Sequence, residues 1–70
     1  MVYIIEHFDY SDVSYEDRWI GSFAFSKLED AQNYLEKSGF TANQYNKMKY
    51  ESAYHTAIIT KLFLYDFKED

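Results

Sequence analysis

The sequence predicts an α+β domain in which one antiparallel sheet of three to four strands carries a single helix on one face, in the order ββαββ. Three observations predict it: β-branched and aromatic runs with period-two alternation towards both ends of the chain, a helix-start signal followed by apolar residues at helical spacing in the middle, and a length of 70 residues that admits one domain over 1–70.

The first strand is read over Val2 to Tyr10, with Val2, Ile4 and Phe8 on one face and Tyr3, Ile5 and His7 on the other. Ser11 to Asp17 is polar and is expected to be a loop longer than the usual hairpin turn. From Arg18 to Phe25 the chain is strand-like again, and Gly21 in mid-run points to a bulge or the close approach of another backbone. Ser26-Lys27-Leu28-Glu29 fits a capping box, and Leu28, Ala31, Tyr34 and Leu35 follow at helical spacing, so a helix is predicted over 27–38. Gly39 stands where a left-handed residue ends a helix, with Phe40 placed to fold back on Leu35.

Residues 41–56 admit two readings. Thr41 and Gln44 would open a short helix through Tyr45 and Met48, whereas Asn46, Met48 and Tyr50 alternate with Lys47, Lys49 and Glu51 as in a strand. The asparagines are poor helix formers and favour the strand. A turn near Ser52 to Tyr54 then leads into a long strand from Thr56 to Phe67.

Composition narrows the function. There is no cysteine, so disulfides and thiolate metal sites are excluded, and the opening Met1-Val2-Tyr3-Ile4-Ile5-Glu6 has neither the basic start nor the apolar length of a signal peptide. No run approaches the length that spans a bilayer. The expected location is cytoplasmic.

Charge is segregated. Residues 1–17 carry Glu6, Asp9, Asp12, Glu16 and Asp17 with no Lys or Arg, within a chain of net charge −5. Direct nucleic-acid binding needs phosphate-neutralising bases and is not expected. Eight Tyr, six Phe and one Trp exceed what one thin core hides. Some rings are therefore expected at a binding surface.

Two surfaces follow. The acidic, tyrosine-rich segment Asp9, Tyr10, Asp12, Tyr15, Glu16 and Asp17 is the candidate contact for a protein partner with a basic or nucleic-acid-binding surface. The second is a sheet face carrying Tyr3, Ile5, Phe63 and Tyr65, which one helix is not expected to cover and which a second copy of the chain would bury as a homodimer. His7 and His55 would approach one another if their strands pair, but two imidazoles alone are a poor zinc site, so no metal is expected. No nucleophile–base pair and no glycine-rich phosphate loop occur, so neither catalysis nor a cofactor is expected. The alternative to a protein-binding factor is a small-ligand binder that stacks a nucleotide-like ring in an aromatic-lined dimer cleft.

The strand Val2-Tyr3-Ile4-Ile5-Glu6-His7, the acidic loop, the strand Trp19-Ile20-Gly21 and the capped helix from Ser26 to Leu35, with Asp30-Ala31 and Tyr34-Leu35, together resemble small ββα-type accessory proteins of phages and mobile elements of Gram-positive bacteria. The resemblance covers most of the chain, and Thr41 to Thr56 departs from it. It implies an accessory product that blocks or redirects a host or defence protein, and it brings no catalytic residues.

Overall fold

The computed structural model describes the backbone of residues 1–12 and 15–63 and the side chains of 1–9 and 17–63. Its elements are β1 (Val2–Asp12), β2 (Tyr15–Phe25), α1 (Leu28–Lys37), β3 (Thr41–Ala42), β4 (Lys49–Ser52) and β5 (His55–Leu62). The strands form one antiparallel sheet in the order β2-β1-β5-β4-β3. Among the described residues the α+β class and the one helix agree with the sequence, but the strands number five. No helix among the described residues is long and apolar enough to cross a membrane.

The loop expected over Ser11 to Asp17 is largely strand. β1 runs on to Asp12, β2 begins at Tyr15, and Asp12 pairs with Tyr15. Apolar alternation marks only those strand positions that have a buried face, whereas backbone pairing extends this hairpin through polar residues. Gly21 lies at the bulge its position predicted: Ile4 faces Ala24 and Glu6 faces Ile20, so Gly21, Ser22 and Phe23 all stand opposite Ile5. A side chain at Gly21 would begin 3.3 Å from His7 Nε2 and 3.4 Å from the Ile5 carbonyl oxygen.

The helix starts one residue later than predicted and without the capping box. Its N-cap is Lys27, extended at φ −127° and ψ 137°, and no side chain accepts from the first-turn amides. Glu29 and Asp30 in the first turn and Lys37 in the last still complement the helix dipole. The C-terminal end follows the sequence reading. Phe40 N–H donates to the Leu35 carbonyl at 3.1 Å, Gly39 N–H donates to the Glu36 carbonyl at 3.2 Å, and Gly39 takes φ 95°, which together make a Schellman ending.

Residues 41–52 resolve into two short strands joined by a turn built by asparagines. Asn43 Oδ1 accepts from the backbone N–H groups of Tyr45 (2.8 Å) and Asn46 (2.9 Å), and Asn46 Oδ1 accepts from Met48 N–H (2.9 Å). Such side-chain acceptors compete with both helix and ladder hydrogen bonds, so neither a helix from Thr41 nor a continuous strand forms. Ser52 pairs with His55, leaving Ala53 and Tyr54 as a two-residue turn, and β5 follows one residue earlier than expected.

The core is one cluster on one side of the sheet: Ile5, Ala57, Ile59 and Tyr50 from the strands, and Ala31 and Leu35 from α1. Tyr3, Phe25, Leu28, Phe40 and Met48 pack around it, and Tyr34 meets Phe23 edge-on at a ring separation of 5.7 Å and Phe25 at a tilt of 44° and 5.5 Å. This corrects the expected exposed face. Ile5 is 2% exposed and Tyr3 packs against the core, so both lie beneath the helix rather than on the uncovered side. Phe63, beyond β5, is exposed, and Tyr65 lies outside the described residues.

Candidate functional site

With the odd-numbered positions of β1 facing the helix, the even-numbered ones face away. Val2, Ile4, Glu6 and Phe8 lie in register with Leu62, Thr60, Ile58 and Thr56 of β5 on one flank, and with Ala24, Ile20 and Arg18 of β2 on the other. Lys49 and Glu51 of β4 pair with Ile58 and Thr56 and complete the row, joined by an ion pair at 3.5 Å. No element among the described residues packs over this face. Ile20 is 64% and Leu62 43% exposed.

The polar groups on this face are restrained. Thr60 Oγ1 donates to Glu6 Oε1 at 3.1 Å, and the Arg18 guanidinium lies 5.0 Å above the centre of the Phe8 ring. Glu6, Phe8, Arg18 and Ile20 also border a shallow recess of about 270 Å³, below the roughly 300–1,000 Å³ of sites that enclose a small molecule.

The acidic segment adjoins it. Asp9 and Asp17 stand directly opposite one another across β1 and β2, and Asp12 opposes Tyr15 at the far end of the same hairpin. The side chains of Tyr10, Asp12, Tyr15 and Glu16 lie outside the described residues. The hairpin therefore carries the predicted contact residues on paired strands rather than on a loop.

On the helix side, just beyond α1, two histidines meet. His7 Nδ1 and His55 Nε2 share a hydrogen bond of 2.9 Å, which the pairing of β1 with β5 makes possible across 48 residues of sequence. Trp19 stacks on His7 with ring centres 5.0 Å apart and planes 7° from parallel, and lies 5.1 Å from His55. Phe40 closes the group, edge-on to His55 at 4.9 Å. Burial first, and the neighbouring His55 second, lower the His7 pKa. Sequence reasoning anticipated the approach of the imidazoles but not their aromatic walls. Placing Trp19 opposite His7 requires the exact position of the Gly21 bulge, and placing Phe40 requires the helix ending.

No known protein family, curated protein or solved structure matches this chain.

Proposed function

We propose that this protein is a non-catalytic binding factor that engages a partner protein through the open sheet face and the acidic hairpin beside it. One observation carries the reading: Val2, Ile4, Phe8, Ile20, Ile58 and Leu62 form an apolar face that the single helix, lying on the other side, leaves uncovered. Contiguous apolar patches of this kind mark interaction sites.

Size argues for using both surfaces. Four strands about 4.8 Å apart and seven residues rising about 3.4 Å each give a face of roughly 400 Å². A stable interface takes about 800 Å² per partner. The hairpin that continues from the same two strands supplies further area, and its carboxylates favour a basic counterpart, such as a surface that otherwise binds nucleic acid. This reading fits the accessory factor implied by the resemblance to phage and mobile-element proteins, one that inhibits a host or defence protein. The shallow recess gives less support to the alternative of a nucleotide-like ligand.

The test is affinity enrichment from a Gram-positive lysate with three baits: the native chain, Ile20→Asp, and Asp9→Asn combined with Asp17→Asn. A protein retained by the native chain, lost with Ile20→Asp and weakened by the paired asparagines is the expected result. An identical set on all three baits would remove the basis of the reading.

A further inference from the structure

We propose that His7 and His55 form an acid-released latch at the root of the acidic hairpin, closed while at least one of the two imidazoles is neutral and open once both carry a proton. This goes beyond the partner-binding reading and does not depend on it, because it concerns the chain's own motion.

The first support is position. β5 begins at His55, whose partner on β1 is Asp9, while β1 and β2 run on together to the Asp12–Tyr15 pair. The hairpin therefore projects past the point where β5 supports it. At that point rings from four segments meet: His7 of β1, Trp19 of β2, His55 of β5 and Phe40 beyond α1. The 2.9 Å hydrogen bond between His7 Nδ1 and His55 Nε2 is the polar tie within this cluster.

The second support is where protons can go. A neutral imidazole carries one N–H, so across the tie one ring donates and the other accepts. The donor ring takes a first proton on its distal nitrogen and the hydrogen bond survives. The acceptor ring already holds its N–H on the distal side, so a second proton can enter only at the nitrogen that faces its partner. Two N–H groups then point at one another, and two positive charges adjoin. Histidine pairs of this kind act as switches just below neutral pH.

The third support is the surround. Burial first, and the charge of His55 second, hold the His7 pKa below the ordinary histidine value. Asp9 on β1 and Asp17 on β2 stand in the row next to the imidazoles, and Asp9 is already engaged in an interaction of its own. β4 contributes Ser52 opposite His55, and Tyr50, whose raised pKa keeps it neutral here. From α1, the charge of Glu36 acts on Tyr50. The carboxylates favour the first proton, whereas the apolar walls and the first charge oppose the second. The open state takes its proton near the ordinary histidine value and the closed state only at lower pH. Between those two values the ratio of open to closed chains should therefore rise by up to about tenfold for each unit of falling pH.

Nuclear magnetic resonance of the nitrogen-labelled native chain tests this, following both imidazoles from about pH 8 down to about pH 5, above the ordinary carboxylate range. Two titration steps more than about one pH unit apart are expected. The Overhauser contact between Trp19 and His55, whose rings lie 5.1 Å apart, should persist through the first step and fade at the second, while far-ultraviolet circular dichroism holds. In His55→Gln, where residue 55 takes no proton, His7 should titrate in one step and at higher pH than its step in the native chain. Both rings titrating together in the native chain, a Trp19–His55 contact that survives the second step, or loss of the dichroism signal along with that contact would each overturn the proposal. These three readings come from the native chain and hold whether or not the variant folds.

Discussion

Truncating Leu35 and truncating Ile20 should have very different effects, because the two side chains lie on opposite sides of the sheet. Leu35 is 0% exposed and sits among Ile5, Tyr50 and Ile59. Leu35→Ala removes three carbons at about 0.8 kcal/mol each, or about 2.4 kcal/mol, and the cavity left behind raises the cost towards about 3–4 kcal/mol. A chain of this length has a total stability of about 4–10 kcal/mol, so this one change should shift the thermal midpoint by roughly 12–32 °C. Ile20 has already kept most of its surface in water, so Ile20→Ala should cost about 1 kcal/mol or less. Urea unfolding, followed by far-ultraviolet circular dichroism at two protein concentrations, measures both. If Ile20→Ala destabilised the chain as much as Leu35→Ala, the face assigned as open would be a packed one. If the midpoint of the native chain rose with concentration, a second copy would be covering that face.

Three further outcomes follow from local structure. Gly39→Ala should cost about 1–2 kcal/mol by urea unfolding, because a side chain at φ 95° is strained while no neighbour crowds the position, and Gly39→Asn should cost less. Lys27→Asp should stabilise by about 0.5–1 kcal/mol, supplying the missing acceptor at an extended N-cap, whereas Ser26→Ala should change stability by less than about 0.5 kcal/mol. Burial first, and Glu36 second, raise the Tyr50 pKa, so the folded chain holds this proton after the unfolded chain has lost it. The stabilisation is complete below the ordinary tyrosine pKa and is lost as pH rises through the folded value. Absorbance at 295 nm should show a late-titrating tyrosine that disappears in Tyr50→Phe.

Alternation made β1 and β5 legible, and glycine chemistry made the bulge at Gly21 and the helix ending at Gly39 legible, because each rests on a rule that operates within a few residues. Which side of the sheet the helix covers was not legible. Tyr3 and Ile5 are no more apolar than Ile4 and Phe8, and only the path of the chain from Phe25 into α1 decides between them. The asparagine turn was missed for another reason. Asn43 and Asn46 use their side chains to satisfy backbone groups, and a periodicity reading counts only which residues are apolar. Ser26 had the right neighbours for a cap, but Lys27 adopted the cap conformation instead. At the candidate site, the histidine pair was conditional on a strand pairing that the sequence did not specify, and the hairpin's polar residues read as loop because they lack the apolar alternation that marks a strand.

The central position of β1 has a consequence for how the chain folds. Its two neighbours are β2, which follows it directly, and β5, which arrives after the helix and two further strands. The β1–β2 hairpin forms from local contacts, but the other hydrogen-bonding edge of β1 stays open until β5 docks, and the core residues Ile5 and Ile59 meet only at that moment. Closing so long a loop is the slow step in such topologies, and an open edge is where misassociation begins. A change that delays the docking of β5, such as disruption of the Ser52–His55 hairpin, should lower the yield of soluble protein more than it lowers the stability of the molecules that do fold.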